Sequence, residues 1–271
     1  MTARRAFAWL VPLALLLACE TGREAPAETS EHTTPPDPRM TAEADTLDLP
    51  ETNYYEIATR YGRMVVRLYD ETPLHRDNFK KLVARGFYDG TTFHRVIAGF
   101  MIQGGDPNSK DDDPYNDGQG GPGYTLPAEF HPRFYHKRGA LATARQGDHV
   151  NPERRSSGSQ FYIVHGTNPI DETMLAQMEA QIRTATNNPD FRFSDAARTA
   201  YLRDGSAPFL DMQYTVFGEV VEGFDVLDRI ATTPTPKSQG RPAHPALGDQ
   251  PLERVEMTVR PLPDYPPKPA G

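Results

Sequence analysis

The chain reads as a mainly β protein, an antiparallel barrel or a sandwich with few helices. Short runs rich in β-branched and aromatic residues recur between Gly and Pro bends. Apolar residues at helical spacing are confined to a few short stretches. Many short strands with few helices suit a closed sheet or two packed sheets. The part following residue 53 is long enough to bury one core.

Residues 54–59 and 64–69 are expected strands around Arg60-Tyr61-Gly62, a hairpin signal. A helix follows, with Thr72 as N-cap, Pro73 at its first position and Gly86 closing its end. Phe79, Leu82 and Val83 share its apolar face. Further strands are expected over 92–97, 101–103, 139–144, 160–164, 215–220 and 253–260, and a second short helix over 224–231. Between these, 171–204 carries its own helical pattern. Met174, Met178 and Ile182 fall at four-residue steps, with Leu175 beside them. Helices are expected at about 171–185 and 195–204, the second stopped by Gly205. The pair is expected to pack on the barrel, or to form a rim of a groove or a partner surface.

The ends differ from this domain. Arg4 and Arg5 precede an apolar run over 6–18 that is too short to span a bilayer comfortably. Leu16-Leu17-Ala18-Cys19 resembles a bacterial lipobox, so 1–18 is expected to be a lipoprotein signal peptide that leaves Cys19 lipidated. Cys19 is the only cysteine of the chain, which excludes a disulfide within the mature protein. Residues 19–53 read as a disordered acidic tether: nine acids face only Arg23 and Arg39, with Pro, Thr and Ala between. As a random coil it reaches on the order of 30 Å. The domain proper is assigned to 54–262, and 263–271 is a Pro-rich tail. Most of the net charge of −8 resides in the tether. The domain therefore has no basic stripe for nucleic acid.

The most informative run is Phe93-His94-Arg95-Val96-Ile97-Ala98-Gly99-Phe100-Met101-Ile102-Gln103-Gly104-Gly105-Asp106. It sets a guanidinium and an amide among large apolar side chains, next to a Gly-rich bend. Such a set suits a shallow groove that holds an apolar peptide residue and touches its backbone. The run resembles the signature of the cyclophilins, a family of peptidyl-prolyl cis-trans isomerases, with Ala98 where the family usually has Pro. The resemblance implies an eight-stranded closed antiparallel barrel capped by two helices.

X–Pro rotation faces a barrier of about 18–20 kcal/mol from amide conjugation. Catalysis requires the twisted amide to be bound better than either planar form. It calls for no nucleophile, metal or cofactor, and none is expected. The resemblance makes Arg95 the catalytic residue, Phe100 and Met101 part of a proline pocket, and Gln103 a hydrogen-bonding partner of the substrate backbone. Ser156-Ser157-Gly158-Ser159-Gln160-Phe161-Tyr162-Ile163 resembles a second family block. It implies a groove position for Gln160 and a pocket position for Tyr162, where the family usually has Phe. The additional hydroxyl needs a partner or solvent, and a slightly wetter pocket edge is expected. Phe161 is assigned to the core. Gly139 to Arg145 matches the strand that pairs with substrate, which places Ala144 and Arg145 beside the bound chain. Phe209, Leu210 and Tyr214 match the far pocket wall, where eukaryotic relatives commonly have Trp and His at the positions of Phe209 and Tyr214.

Other motifs carry less. Gly118-Gln119-Gly120-Gly121-Pro122-Gly123 satisfies GxGxxG, but Pro122 and Pro127 forbid the helix a dinucleotide site requires. Asp111-Asp112-Asp113 lacks the ligand spacing of an EF-hand. The expected protein is a monomeric prolyl isomerase acting on flexible or unfolded proline-containing polypeptides. It is tethered to the membrane by lipid on Cys19, outside the cytoplasm, with the outer membrane or periplasmic face favoured. A peptide-binding chaperone or scaffold on the same fold is the alternative.

Overall fold

The computed structural model describes residues 49–266. The segment expected to be a signal peptide, Cys19, nearly all of the expected tether and the last five residues lie outside them.

Strands β1 (Tyr54–Thr59) and β2 (Gly62–Leu68) form the expected hairpin. Helix α1 (Pro73–Ala84) follows with Pro73 at its start. Thr72 is its N-cap residue, but its side chain does not cap. Glu129 does so from a distant loop, accepting from the N–H groups of Leu74 at 3.1 Å and His75 at 3.0 Å. A carboxylate also suits the positive end of the helix dipole. Next come β3 (Arg95–Ile97), β4 (Met101–Gly104), β5 (Thr125–Leu126), β6 (Ala140–Thr143), β7 (Ser156–Ser157) and β8 (Phe161–Val164). Helices α2 (Glu172–Thr186) and α3 (Asp195–Asp204) form the helical stretch expected over 171–204, an insertion between β8 and β9. Strand β9 (Val216–Glu222), helix α4 (Phe224–Ala231) and strand β10 (Met257–Pro261) complete the domain. The two-residue strands β5 and β7 pair with each other; both are too short to leave a periodic signal.

Eight strands make one antiparallel sheet in the order β10-β1-β2-β9-β6-β8-β4-β3. The expectation of a closed barrel needs correction: the sheet is a curled half-barrel. β3 and β10 are not laddered to each other. The chain ahead of each touches through one bridge, Thr92 to Glu256, flanked by Phe93 N–H to Val255 O at 2.9 Å. The cause lies in β3, which has only three residues. The N–H of Val96 at its centre goes to the carbonyl of Asp249, a loop residue, at 2.8 Å. A loop covers the edge that a closing strand would take.

Alternation along the strands divides the sheet into two faces. Val96, Ile102, Ile163 and Leu141 are register partners and point inward. They join the main core with Phe79 and Leu82 of α1, Leu227 and Ile230 of α4, and Phe161. Each such fully buried side chain contributes about 1.5–3 kcal/mol relative to exposure. The next register row, Arg95, Gln103, Tyr162 and Ala142, must point to the opposite face. A second apolar cluster forms there, with Met101, Tyr162, Val164, Leu210 and Val216 at its centre.

The insertion folds as two capped helices with an apolar cluster of their own, Leu175, Ile182, Phe193, Ala197 and Tyr201. Asp171 caps α2 by accepting from Met174 N–H at 2.8 Å. Ser194 does the same for α3, from Ala197 N–H at 3.2 Å. Gly205 ends α3 at φ +76, where a Cβ would stand 2.0 Å from the Asn168 carbonyl oxygen. Only glycine lets the exit of the insertion meet its entry there. Of the expected stripe, Met174 turns outward and is 41% exposed, while Leu175 takes the buried place.

Candidate active site

The site is built on the outer face of β3, β4, β6 and β8, which brings Arg95, Gln103 and Tyr162 into one row. Arg95 is half exposed. Its Nη1 donates to Gln103 Oε1 at 3.3 Å, and its Nε is 3.9 Å from Asp249 Oδ2. Lys237 Nζ draws on the same carboxylate at 3.3 Å. The guanidinium is thus loosely held, with donors left over.

The amide of Gln103 is oriented by a directional chain. Its Nε2 donates to Gln160 Oε1 at 3.1 Å. Gln160 Nε2 donates in turn to the carbonyls of Gly118 at 3.0 Å and Gly120 at 2.8 Å. Gln160 therefore cannot flip without breaking both bonds. It is buried, and its amide is fully engaged within the protein. The GxGxxG run is the loop that fixes Gln160, and β5 follows it rather than a helix.

Phe100 is presented by a tight turn. Its N–H bonds the carbonyl of Ile97 at 3.0 Å, and Gly99 in the third position has φ +81. Any Cβ on Gly99 would lie 2.3 Å from Asn168 Oδ1. The left-handed third position is that of a type II turn, in which Pro is favoured at the second position, held here by Ala98. The Gly99 N–H donates to His165 Nδ1 at 2.8 Å. Burial, with help from Arg138, holds His165 below its ordinary range and keeps that lone pair available.

Met101, Tyr162 and Leu210 are buried in the outer cluster, and Phe100 and Tyr214 pack against it half-buried. Phe209, 37% exposed, faces Phe100 with ring centres 5.7 Å apart. Tyr214 meets Tyr162 edge-on at 6.0 Å. These six side chains make an apolar patch beside Arg95 and Gln103.

One expectation changes here. The Tyr162 hydroxyl does not wet the pocket edge: it is 2.9 Å from Nε2 of His136, a ring with no exposure. The Arg145 side chain is held within the protein. It stacks over Tyr214 at 4.4 Å, donates to the Gln213 carbonyl at 2.8 Å and pairs with Asp148. In the same segment the peptide groups of Ala144 are taken: its N–H bonds Gln160 O at 3.0 Å, and its carbonyl accepts from Ser157 N–H at 2.8 Å.

His136 was not foreseen as part of this site. Its Nδ1 is 2.7 Å from Asp211 Oδ1, and the other oxygen of Asp211 accepts from the Tyr201 hydroxyl at 2.6 Å. The partners are 75 and 10 residues apart in sequence, a separation no local motif reveals.

Comparison with known proteins identifies the family. Residues 54–257 match the family described as cyclophilin type peptidyl-prolyl cis-trans isomerase/CLD. A protein of Staphylococcus saprophyticus named as a peptidyl-prolyl cis-trans isomerase is 36% identical over 202 residues, 73% of this chain and 89% of that relative. A similarly named protein of Staphylococcus epidermidis is 36% identical over 179 residues, 65% of this chain and 79% of its own. The crystal structure of a Cryptosporidium parvum cyclophilin type isomerase superposes with a TM-score of 0.52 at 25% identity, covering 78% of this chain and 99% of that one. The chain belongs to the cyclophilin-type peptidyl-prolyl cis-trans isomerase family. It is an isomerase of X–Pro peptide bonds.

Proposed function

We propose that Arg95 stabilises the twisted X–Pro amide from within this groove. When conjugation breaks, the prolyl nitrogen regains a lone pair and can accept a hydrogen bond. A donor aimed there acts only at the top of the barrier, the condition for raising the rate. Arg95 suits the task because it stays charged, keeps unused N–H groups and presents a planar fork. The observation that carries the reading is the register row itself, which sets Arg95 and Gln103 side by side at the rim of an apolar patch.

In this reading Phe100, Met101, Tyr162, Phe209, Leu210 and Tyr214 receive the prolyl ring and exclude water. Water stabilises the polar planar amide more than the twisted one, so exclusion also lowers the barrier. Gln103 donates its second amide N–H to the substrate backbone, and Gln160 orients Gln103. The backbone near Ala144 and Arg145 aligns the substrate peptide, while the Arg145 side chain steadies Tyr214. A gain of about five powers of ten corresponds to roughly 7 kcal/mol. A charge-assisted hydrogen bond supplies about 1.5–3 kcal/mol of it. Desolvation and alignment supply the remainder.

Location and clients belong to the same proposal. The lipobox-like Leu16-Leu17-Ala18-Cys19 and the acidic segment after it support a lipid-tethered enzyme outside the cytoplasm, acting as a monomer on secreted or envelope polypeptides. Mass spectrometry of the mature N-terminus tests the lipid. Exchange spectroscopy on an X–Pro peptide tests the mechanism: Arg95→Ala is expected to lose about ten- to a hundredfold in kcat/KM. A variant retaining more than a third of the rate would refute the role of Arg95.

A further inference from the structure

We propose that Tyr201, in the inserted helix α3, is a positioning residue for the proline pocket, acting on Tyr162 through Asp211 and His136. The proposal rests on the placement of Tyr162 in that pocket.

The four side chains form one buried chain of hydrogen bonds: Tyr162 Oη to His136 Nε2 at 2.9 Å, His136 Nδ1 to Asp211 Oδ1 at 2.7 Å, and Tyr201 Oη to Asp211 Oδ2 at 2.6 Å. Each of the four residues is at most 5% exposed. The direction of the protons follows from chemistry. An ionised carboxylate can only accept, so His136 Nδ1 and the Tyr201 hydroxyl both donate to Asp211. In the neutral imidazole with its proton on Nδ1, Nε2 keeps a lone pair that accepts from the Tyr162 hydroxyl. Burial pushes both tyrosines well above the ordinary phenol range, so both hydroxyls stay protonated.

Asp211 also accepts from the backbone N–H of His136 at 2.8 Å. Its own N–H closes the turn over Pro208–Leu210, at 3.0 Å from the Pro208 carbonyl. That turn carries Phe209 and Leu210, the far wall of the pocket. One carboxylate therefore ties the wall to the floor, since His136 stacks nearly parallel to Tyr162 at 6.0 Å. Tyr201 is the only hydroxyl the insertion brings to Asp211 among the described residues. Its ring is locked by edge contacts with Phe193 at 5.4 Å and Tyr135 at 5.6 Å. A helix outside the barrel thereby sets the position of the carboxylate that holds the pocket floor against its wall.

The test is a double-mutant cycle in kcat and KM on an X–Pro peptide, with thermal melts confirming that every variant folds. Tyr201→Phe keeps the ring in its cluster and removes only the donor. It is expected to lower kcat/KM about three- to tenfold, chiefly through KM, because the pocket loosens. In a Tyr162→Phe background the same change is expected to have less than a 1.5-fold effect, since the chain no longer reaches the floor. His136→Phe, which retains a ring against Tyr162 but removes both nitrogens, should silence Tyr201→Phe in the same way. If Tyr201→Phe is neutral, or acts equally in all three backgrounds, its role is merely structural and the proposal is overturned. If Tyr162→Phe itself leaves both constants unchanged, the hydroxyl chain does not position the floor and this proposal is overturned; Tyr162→Ala, which removes the ring, tests the pocket placement separately.

Discussion

Replacing Gln103 by Glu changes one atom and inverts the logic of the groove. In the native chain Gln103 accepts from Arg95 and donates to Gln160. A carboxylate can only accept. One oxygen would face Gln160 Oε1, an acceptor now 3.1 Å away, and Gln160 cannot turn because Gly118 and Gly120 hold its amide nitrogen. The lost hydrogen bond costs about 1 kcal/mol. The other oxygen would pair with the Arg95 guanidinium. For a half-exposed pair this attraction amounts to about 0.5–1 kcal/mol, which Arg95 must forgo before serving the amide. Together these effects raise the barrier by about 1.5–2 kcal/mol, a ten- to thirtyfold loss of kcat/KM at about 1.4 kcal/mol per decade. Protease-coupled isomerisation measures it directly. Part of the loss should return as salt screens the new ion pair, while the lost bond to Gln160 lowers the denaturation midpoint by the equivalent of about 1 kcal/mol. Activity within threefold of wild type would refute the assigned geometry of Arg95 and Gln103.

Ala98→Pro places the family's usual residue at the second position of the Ile97–Phe100 turn, and is expected to stabilise the fold by about 0.4–1 kcal/mol, read as a higher urea midpoint at unchanged slope. His94 offers a pH test. Burial lowers it to about 4, against an opposing pull from Asp106, and both ring nitrogens lack partners. A depressed histidine contributes stability above its unfolded value near 6.5, and that stability is lost as pH falls toward 4. Burial raises Asp117, lining the same cavity, to about 6. Its sign is opposite, since its contribution is present at low pH and lost as pH rises through 6. His94→Leu removes only the first effect. The variant should therefore gain on wild type by up to about 3 kcal/mol between pH 6.5 and 4. Urea midpoints at the two values check this, and a difference independent of pH would refute it.

Much of the fold was legible because local chemistry wrote it. Pro73 and Gly86 bracket α1, Asp171 and Ser194 start the insertion helices, and Phe224–Ala231 is helical over the predicted span. Strand ends were less legible. The stretch expected over 92–97 is a ladder only from Arg95, because Phe93 and Thr92 bond to the segment before β10 instead. The capping of α1 was missed because the acceptor, Glu129, is some 54 residues away. Arg95, Gln103 and Tyr162 were named singly by motif. That they share a row depends on strand pairing, which a one-residue slip would have reversed.

The amino-acid order alone settled which residues could do chemistry: a permanent cation, two amides and a set of aromatics, each within a run short enough to be recognised by neighbours in sequence. It also settled where helices begin and end, since caps and breakers act over a few residues. Three-dimensional packing decided the rest. It opened the barrel at β3, buried Gln160, turned the Arg145 side chain onto Tyr214, and gave the Tyr162 hydroxyl a partner in His136. These outcomes depend on contacts between segments tens of residues apart. Burial makes such contacts decisive, because an unpaired polar group away from water is costly, and only the folded chain determines which groups are buried together.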